Sequence, residues 1–438
     1  MKRKIYVITS ATPGCRPSIS FLESLTGYCK IKKAELLILP TAQVYKKDEL
    51  AQELYAYGDI LTGPKRLNSN IHISDLPINP EQSDPITGLD RLTHKEHSAI
   101  YASPKQRMKS IASPSSAYPR VIMTPGSCTA PYKKNSKRGL AAFKDHVMGA
   151  IIVEVVDDKF YHFRQVQADS RGGFNDLALY YKGNNRPVRA KVAAFIPGDY
   201  HVGSTDPEVQ KCIYEMLALF KPERLFLHDF FDGISVNHHI EHKLLLKAML
   251  GTQNDLTAEL ALCAQNLREL APKVKKEIVI VKSNHDEFLD RWLVEGKYIS
   301  DSRNHIMGLE LALAKARGKD PLEAGIKKFG IPKNIKFLKD DDSFKITSKQ
   351  IECGQHGHLG PNGSRGNATS IEKSYSEAVI GHIHSPEIQR GTWVVGTSSY
   401  LKLDYTKGPS SWMHSHCVVY ANGSRQLLNV VNGSWRVK

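Results

Sequence analysis

Residues 192–203 read VAAFIPGDYHVG. Five apolar residues run without a break into Pro197, Gly198 and Asp199. A short continuous apolar run that stops at turn residues is the pattern of a strand buried on both faces, as in parallel sheets. The next stretch, 207–220, places Val209, Cys212, Ile213, Met216, Leu217 and Phe220 at three- and four-residue steps, the period of an amphipathic helix. The unit then recurs. RLFLHD at 224–229 and EIVIVKSNHD at 277–286 are further apolar runs, and each ends in Asp, Asn or His. Strands alternating with helices predict the α/β class, in which ligand sites gather at the C-terminal ends of the strands.

Upstream, KIYVITSA at 4–11, a helical stretch at 19–31 and ELLILPTA at 35–42 read as a βαβ unit. A Pro- and Asp-rich loop is expected around 71–88, and strands at 119–126, 149–158 and 159–168. The chain of 438 residues is too long for one ordinary core. Turn signals at both ends of 171–187 put a boundary there, giving a basic N-terminal α/β domain over 1–187 and a second domain over 188–438. Downstream, a long helix is expected over 239–270 with a break near Gly251, helices over 287–329, and strands at 343–348, 349–355, 376–382, 391–396 and 416–422.

No stretch approaches the ~20 apolar residues that span a bilayer, and the first apolar run, 5–8, is too short for a signal peptide. Seven cysteines are scattered with no CxxC pair, the usage of a reducing compartment. These features point to a cytoplasmic protein that does not enter membranes.

The net charge is +15, which favours a polyanionic partner. Residues 1–190 hold 28 basic and 17 acidic side chains, +11 of that total. Between 98 and 144 there are nine basic residues and no Asp or Glu. They are Lys105, Arg107, Lys109, Arg120, Lys133, Lys134, Lys137, Arg138 and Lys144, with Tyr101, Tyr118 and Tyr132 interleaved. Basic side chains with aromatic platforms suit nucleic acid. A solvated basic loop would read the same way.

Five segments carry the candidate chemistry: GDYHVG from 198, LHDFFDG from 227, SNHDEF from 283, GQHGHLG from 354 and GHIHSPE from 381. Each sets Asp, Asn or His at or just after an expected strand end. One alone would mean little; five in series are hard to obtain by chance. Two divalent ions held side by side need a bridging carboxylate and a mixed nitrogen and oxygen ligand set, and imidazole with carboxylate suits manganese, iron or zinc. Glycine beside a ligand lets the backbone turn sharply.

This ordered set resembles the calcineurin-like metallophosphoesterase superfamily over about 191–400, closest in character to its DNA-repair exonuclease branch. Two positions depart from the family pattern, His228 and Ser283, where glycine is usual. The resemblance implies a four-layer α/β/β/α sandwich preceded by a separate N-terminal domain. It implies one metal on Asp199, His201, Asp229 and His384, and a second on Asp229, Asn284, His356 and His382. Manganese is the expected ion, with iron, zinc or magnesium as alternatives. A hydroxide activated by both ions would attack phosphorus, with His285 meeting the leaving oxygen. Asp286 would either orient His285 or cap the helix that follows. In GQHGHLG both His356 and His358 remain candidates, and strand alternation favours His356. Asp232 reads as a loop-holding residue, and His414 and His416 as edge or surface residues.

The expected activity is phosphoester hydrolysis, most simply by a DNA nuclease that pairs as a homo-oligomer. The basic residues offered to nucleic acid are Lys105, Arg107, Lys109, Lys133, Lys134, Lys137 and Arg138. A small-molecule phosphomonoesterase and a catalytically silent nucleic-acid-binding scaffold are the competing readings.

Overall fold

A computed structural model describes residues 3–93, 97–114, 118–239, 254–402 and 407–437. The strand Val192–Ile196 is buried at every position and lies inside a six-stranded sheet. Arg224–Leu227, Glu277–Ile280 and Ile335–Phe337 continue the sheet in parallel on one side. His414–Tyr420 and Arg425–Val430 extend it on the other, His414–Tyr420 running antiparallel to Val192–Ile196. The two faces of the strand serve two cores. Phe195 points to the helices Pro207–Phe220 and Leu256–Leu270, whereas Ala194 and Ile196 pack against other strands. This is why the run is apolar without alternation.

The helix Pro207–Phe220 begins as its sequence dictates. Asp206 accepts the Glu208 N–H at 2.9 Å, Pro207 occupies the first turn, and Lys221 ends the helix in a left-handed conformation. Its expected apolar stripe is buried at all six positions.

A ten-stranded sheet packs on the inner face of the six-stranded one. Its order is Lys345–Ile346, Ile351–Glu352, Ala378–Ile380, Thr392–Val394, Glu387–Gln389, Gln106–Ile111, Arg120–Pro125, Ser98–Ile100, Ile71–Ile73 and Lys65–Asn68. The helix Ala368–Tyr375 covers its outer face through Ala368 and Ile371. Helices thus lie against each of these two sheets, and the chain is of mixed α/β class.

Strand order corrects the expectation of a separate N-terminal domain. Gln106–Ile111 pairs antiparallel with Glu387–Gln389, with Met108 opposite Ile388. Residues on both sides of 187 thus share one sheet, and a single core joins Tyr6, Ile8 and Leu37 to Ile196, Phe226 and Trp393. Without that pairing both strands would present open edges. The turn-rich stretch taken for a boundary is itself paired, as a three-stranded sheet of Phe174–Asp176, Leu179–Tyr181 and Val188–Arg189.

The βαβ unit is present: Lys4–Ala11 and Glu35–Pro40 are parallel, joined by the helix Ile19–Lys32. They lie in a five-stranded sheet with Asp59–Ile60, Gly149–Val155 and Tyr161–Gln167. A strand, Ile71–Ile73, forms where a loop was expected. Of the long helix expected over 239–270, Leu256–Leu270 is helical and capped by Asp255; residues 240–253 lie outside the described residues. All seven cysteines are buried, and none forms a disulfide. Among the described residues no helix is long and apolar enough to cross a membrane.

Candidate metal centre

Asp199 sits on the bend after Val192–Ile196, with no solvent exposure. The bend is pinned on three sides. The Gly198 N–H donates to His416 Nδ1 at 2.9 Å, the Asp199 N–H to the Gly396 carbonyl at 3.1 Å, and the Ser398 N–H to the Asp199 carbonyl at 2.8 Å. His416 is therefore fully buried and holds the turn, which corrects its reading as an edge residue. Burial pushes its pKa down to about 3, so the ring stays neutral and Nδ1 stays an acceptor. His414 is also engaged, its Nε2–H donating to the Ser399 carbonyl at 2.9 Å.

Four side chains converge beside this bend. Asp199, His201, Asp229 and His384 are all buried, and one ligand atom from each lies within 4.8 Å of the others. His384 Nε2 is 3.0 Å from Asp199 Oδ2 and 3.3 Å from His201 Nε2. His201 Nε2 is 3.7 Å from Asp229 Oδ2. A second group adjoins the first. Asn284 Oδ1 lies 3.1 Å from His356 Nε2 and 3.0 Å from His382 Nδ1. His356 Nε2 is also 3.3 Å from Asp229 Oδ1. Asp229 thus faces both groups, one carboxylate oxygen toward each.

Backbone strain collects at the same positions. His201, Asp229, His382 and His384 all have positive φ, between 43° and 71°. Non-glycine residues adopt this region at a cost that surrounding structure must cover, and such residues cluster at functional sites. Gly381 is required by close approach: a Cβ there would lie 2.0 Å from Asp199 Oδ1. Its place lets the His382 N–H donate to Asp199 Oδ2 at 2.7 Å.

The donor set fits divalent cations. The Oδ1 atoms of Asp199 and Asp229 are buried and accept no hydrogen bond, an arrangement that normally signals a missing partner. Burial would raise the Asp229 pKa, but His356 and His285 outweigh it and hold the carboxyl well below the usual range. Imidazole and carboxylate together suit transition-metal ions.

The outer contacts separate the candidates. His201 Nδ1–H donates to Asp232 Oδ1 at 3.1 Å, and Ser204 Oγ–H donates to Asp232 Oδ2 at 2.5 Å. The Asp232 carbonyl accepts from His285 Nδ1 at 2.6 Å. Asp232 therefore orients two site histidines rather than only its own loop; the sequence signal was its place three residues after Asp229 in LHDFFDG. Against the effect of burial, the Asp232 bond helps raise the His201 pKa to about 9. His358 turns away to Glu287, 3.1 Å from Oε1, and leaves the inner position to His356. Asp286 Oδ2 accepts the Ser283 N–H at 3.0 Å, as the third residue of the helix Asn284–Val294. That is the capping geometry of the two considered. Ser283 has φ −137°, an extended conformation open to any residue, so glycine is not needed there. His228 is fully buried against the His356 ring at 5.6 Å, and neither of its ring nitrogens has a partner.

The basic stretch does not form one platform. Lys105 is buried and donates to the Gln82 carbonyl at 2.5 Å. Arg107 is buried and paired with Asp145 at 3.5 Å. Both are withdrawn from the surface, which corrects their assignment to nucleic acid. Lys109, Lys133, Lys137 and Arg138 are exposed. Lys134 is half-buried between Glu81, at 3.3 Å, and the Tyr45 ring. Tyr101 is buried and Tyr118 is tied to the Tyr161 carbonyl, leaving Tyr132, which pairs with Tyr45 at 6.3 Å.

No family model and no solved structure matches the chain. It is similar to Protein A1 of Escherichia phage T5, with 28% identity over 465 aligned positions spanning 99% of this chain and 83% of that protein. The buried Asp and His cluster can hold metal and is compatible with a metallophosphoesterase.

Proposed function

We propose that the chain is a metal-dependent phosphoester hydrolase, and specifically a nuclease acting on DNA. One observation carries the hydrolase reading: two adjoining ligand groups, one buried and one partly buried, share Asp229, whose two oxygens face one group each. Asp199, His201, Asp229 and His384 would hold one ion, and Asp229, Asn284, His356 and His382 the other. Manganese fits this ligand set, and the bound ions would lower the pKa of water and polarise the phosphoryl oxygens.

The remaining chemistry belongs to the chain. The Asp232 carbonyl accepts a hydrogen bond from His285 Nδ1–H and so fixes the neutral ring's tautomer. Nε2 is then the nitrogen that would meet the leaving oxygen, donating a proton it must first take up from solvent as the imidazolium. The His285 ring lies 4.7 Å from the His201 ring, beside the cluster. Asp232 holds His201 by its carboxylate and His285 by its backbone, so one residue sets the spacing between a ligand and the proton carrier.

The nuclease reading rests on the net charge of +15 and on the exposed cations Lys109, Lys133, Lys137 and Arg138. Pairing of copies, implied by the family resemblance, belongs to the same proposal and is checked by sedimentation. The deciding experiment offers the manganese-loaded protein a diester model substrate, a monoester and linear DNA, each repeated with His285→Ala. Turnover of DNA and diester, lost in the variant, is expected. Turnover of monoesters alone would replace the nuclease by a phosphomonoesterase, and binding of DNA without any turnover would replace both by a scaffold.

A further inference from the structure

A second charged site lies away from the metal centre. A cleft of about 300 Å³ opens where strands from the two sides of residue 187 meet. Its position is set by one short strand, Ala378–Ile380. Ser376 and Glu377, just before that strand, line the cleft, and His382 and His384 follow its other end. At the rise of an extended chain, five residues separate the two places by roughly 16 Å.

Five cations line the cleft: Arg107, Lys144, Lys349, Arg390 and Arg425. Only three carboxylates answer them. Asp145 pairs with Arg107 at 3.5 Å and with Arg390 at 3.2 Å, Glu372 with Arg390 at 3.5 Å, and Glu377 with Arg425. The guanidiniums are thus anchored as a rigid positive wall. Arg425 is fixed further by the Ala378 and Gly391 carbonyls, at 3.1 and 2.6 Å. The surplus of two positive charges falls on Lys144 and Lys349, both exposed at the rim. The Nε atoms of Arg107 and Arg425 are buried without an acceptor. Buried donors are normally satisfied, and both of these orphans belong to residues that line the cleft.

We infer that this cleft is an accessory site for a phosphoryl group. The surplus of two charges matches a phosphate monoester, which carries close to two negative charges at neutral pH. The volume is at the small end of ligand pockets, and its charged lining excludes an apolar ligand. Arginines held in place by carboxylates present donors without an ordering cost, the arrangement favoured for phosphate. The phosphoryl group can come from the end of a nucleic-acid strand or from a free phosphate. Nothing in this inference depends on hydrolysis at the metal centre.

Binding is measured on full-length, metal-stripped protein in EDTA by titration calorimetry. The probes are inorganic phosphate and a short oligonucleotide with or without a 5′-phosphate. The variants are Lys144→Gln with Lys349→Gln, and Arg390→Gln separately. Saturable binding is expected in the wild type, weakened about tenfold or more by the double lysine variant, and unchanged by Asp199→Asn at the metal centre. Tighter binding of the phosphorylated than of the plain oligonucleotide, by the same margin over free phosphate, identifies a strand end. Equal affinity for phosphate and phosphorylated strand identifies a free phosphate. No saturable binding, or wild-type affinity in the double variant, overturns the inference. Hydrolysis of bis-(para-nitrophenyl) phosphate with manganese should be unaffected by the lysine variants. Failure of that hydrolysis in the wild type would therefore count against the proposed function and leave the cleft untouched.

Discussion

Replacing Asp232 by alanine separates two roles that its position allows. The side chain accepts one hydrogen bond from His201 Nδ1 at 3.1 Å and one from Ser204 Oγ at 2.5 Å. Its backbone carbonyl holds His285 and survives the substitution. The loss therefore falls mainly on His201 and the loop, with a smaller effect on His285, whose Nδ1 lies 3.7 Å from Asp232 Oδ1. A hydrogen bond to an ionised group is worth about 1.5–3 kcal/mol. Partners that orient a metal-binding histidine typically change metal affinity or activity by about 10–100-fold. Asp232→Ala should lose manganese affinity and diester turnover in that range. Asp232→Asn, which keeps an acceptor but not the charge, should fall between alanine and wild type. Calorimetric titration with manganese reads affinity, a chromogenic diester reads turnover, and circular dichroism reads the melting temperature. A residue that only held its loop would lower the melting temperature and leave affinity alone. Wild-type manganese affinity and turnover in Asp232→Ala, with the fold intact, would refute the reasoning.

Other positions give sharper yes-or-no outcomes. Gly381→Ala should abolish metal binding, because the new Cβ would fall 2.0 Å from Asp199 Oδ1 and 3.0 Å from the His228 Cβ; retained metal binding would show that the bend can shift. His416→Phe strands the Gly198 N–H and should cost about 1–3 kcal/mol at neutral pH, measured by denaturant melts. The same variant should flatten acid lability. His416 titrates near 6.5 unfolded and near 3 folded, so the unfolded state binds the extra proton between those values. Stability is then full above about 6.5 and falls with pH through that window, by at most roughly 5 kcal/mol. Reversing the charge of Lys133, Lys137 and Arg138 should weaken DNA binding and flatten its salt dependence by up to about one logarithmic unit per lost phosphate contact. Lys105, being buried and outside the cleft, should give misfolding instead of a specific binding defect when reversed.

The cluster of Asp and His residues was legible because its signals are local. Asp199, His356 and His382 each stand beside a glycine, and Asp199, Asp229, Asn284 and His382 follow apolar runs within a few residues, so the chain itself announces where the backbone turns. The alternation of helix and strand was legible for the same reason, since periodicity is read within a dozen residues. What stayed hidden depends on pairing across distance. Gln106–Ile111 and Glu387–Gln389 are neighbours in space and about 280 positions apart in sequence. No local pattern says that the two stretches share a sheet. His416 looked like an edge residue because the first half of its strand gives no sign of the Gly198 N–H it must accept. Residues 240–253 carry the middle of an expected helix and lie outside the described residues.

Charge was misread for a related reason, and the error redirects the search for a ligand. The stretch 98–144 contains no acid, so every cation in it looked free. Yet Asp145, one position beyond the stretch, pairs with Arg107 and with Arg390, which is 283 residues from Arg107 in sequence. A cation's counter-ion is fixed by topology, and only the balance within a folded neighbourhood tells a bound charge from an available one. Applied to Arg107, that test removes it from the exposed stretch and seats it in the wall of the cleft. There the balance comes out positive by two, and the surplus falls on Lys144 and Lys349, where the inferred phosphoryl group would bind.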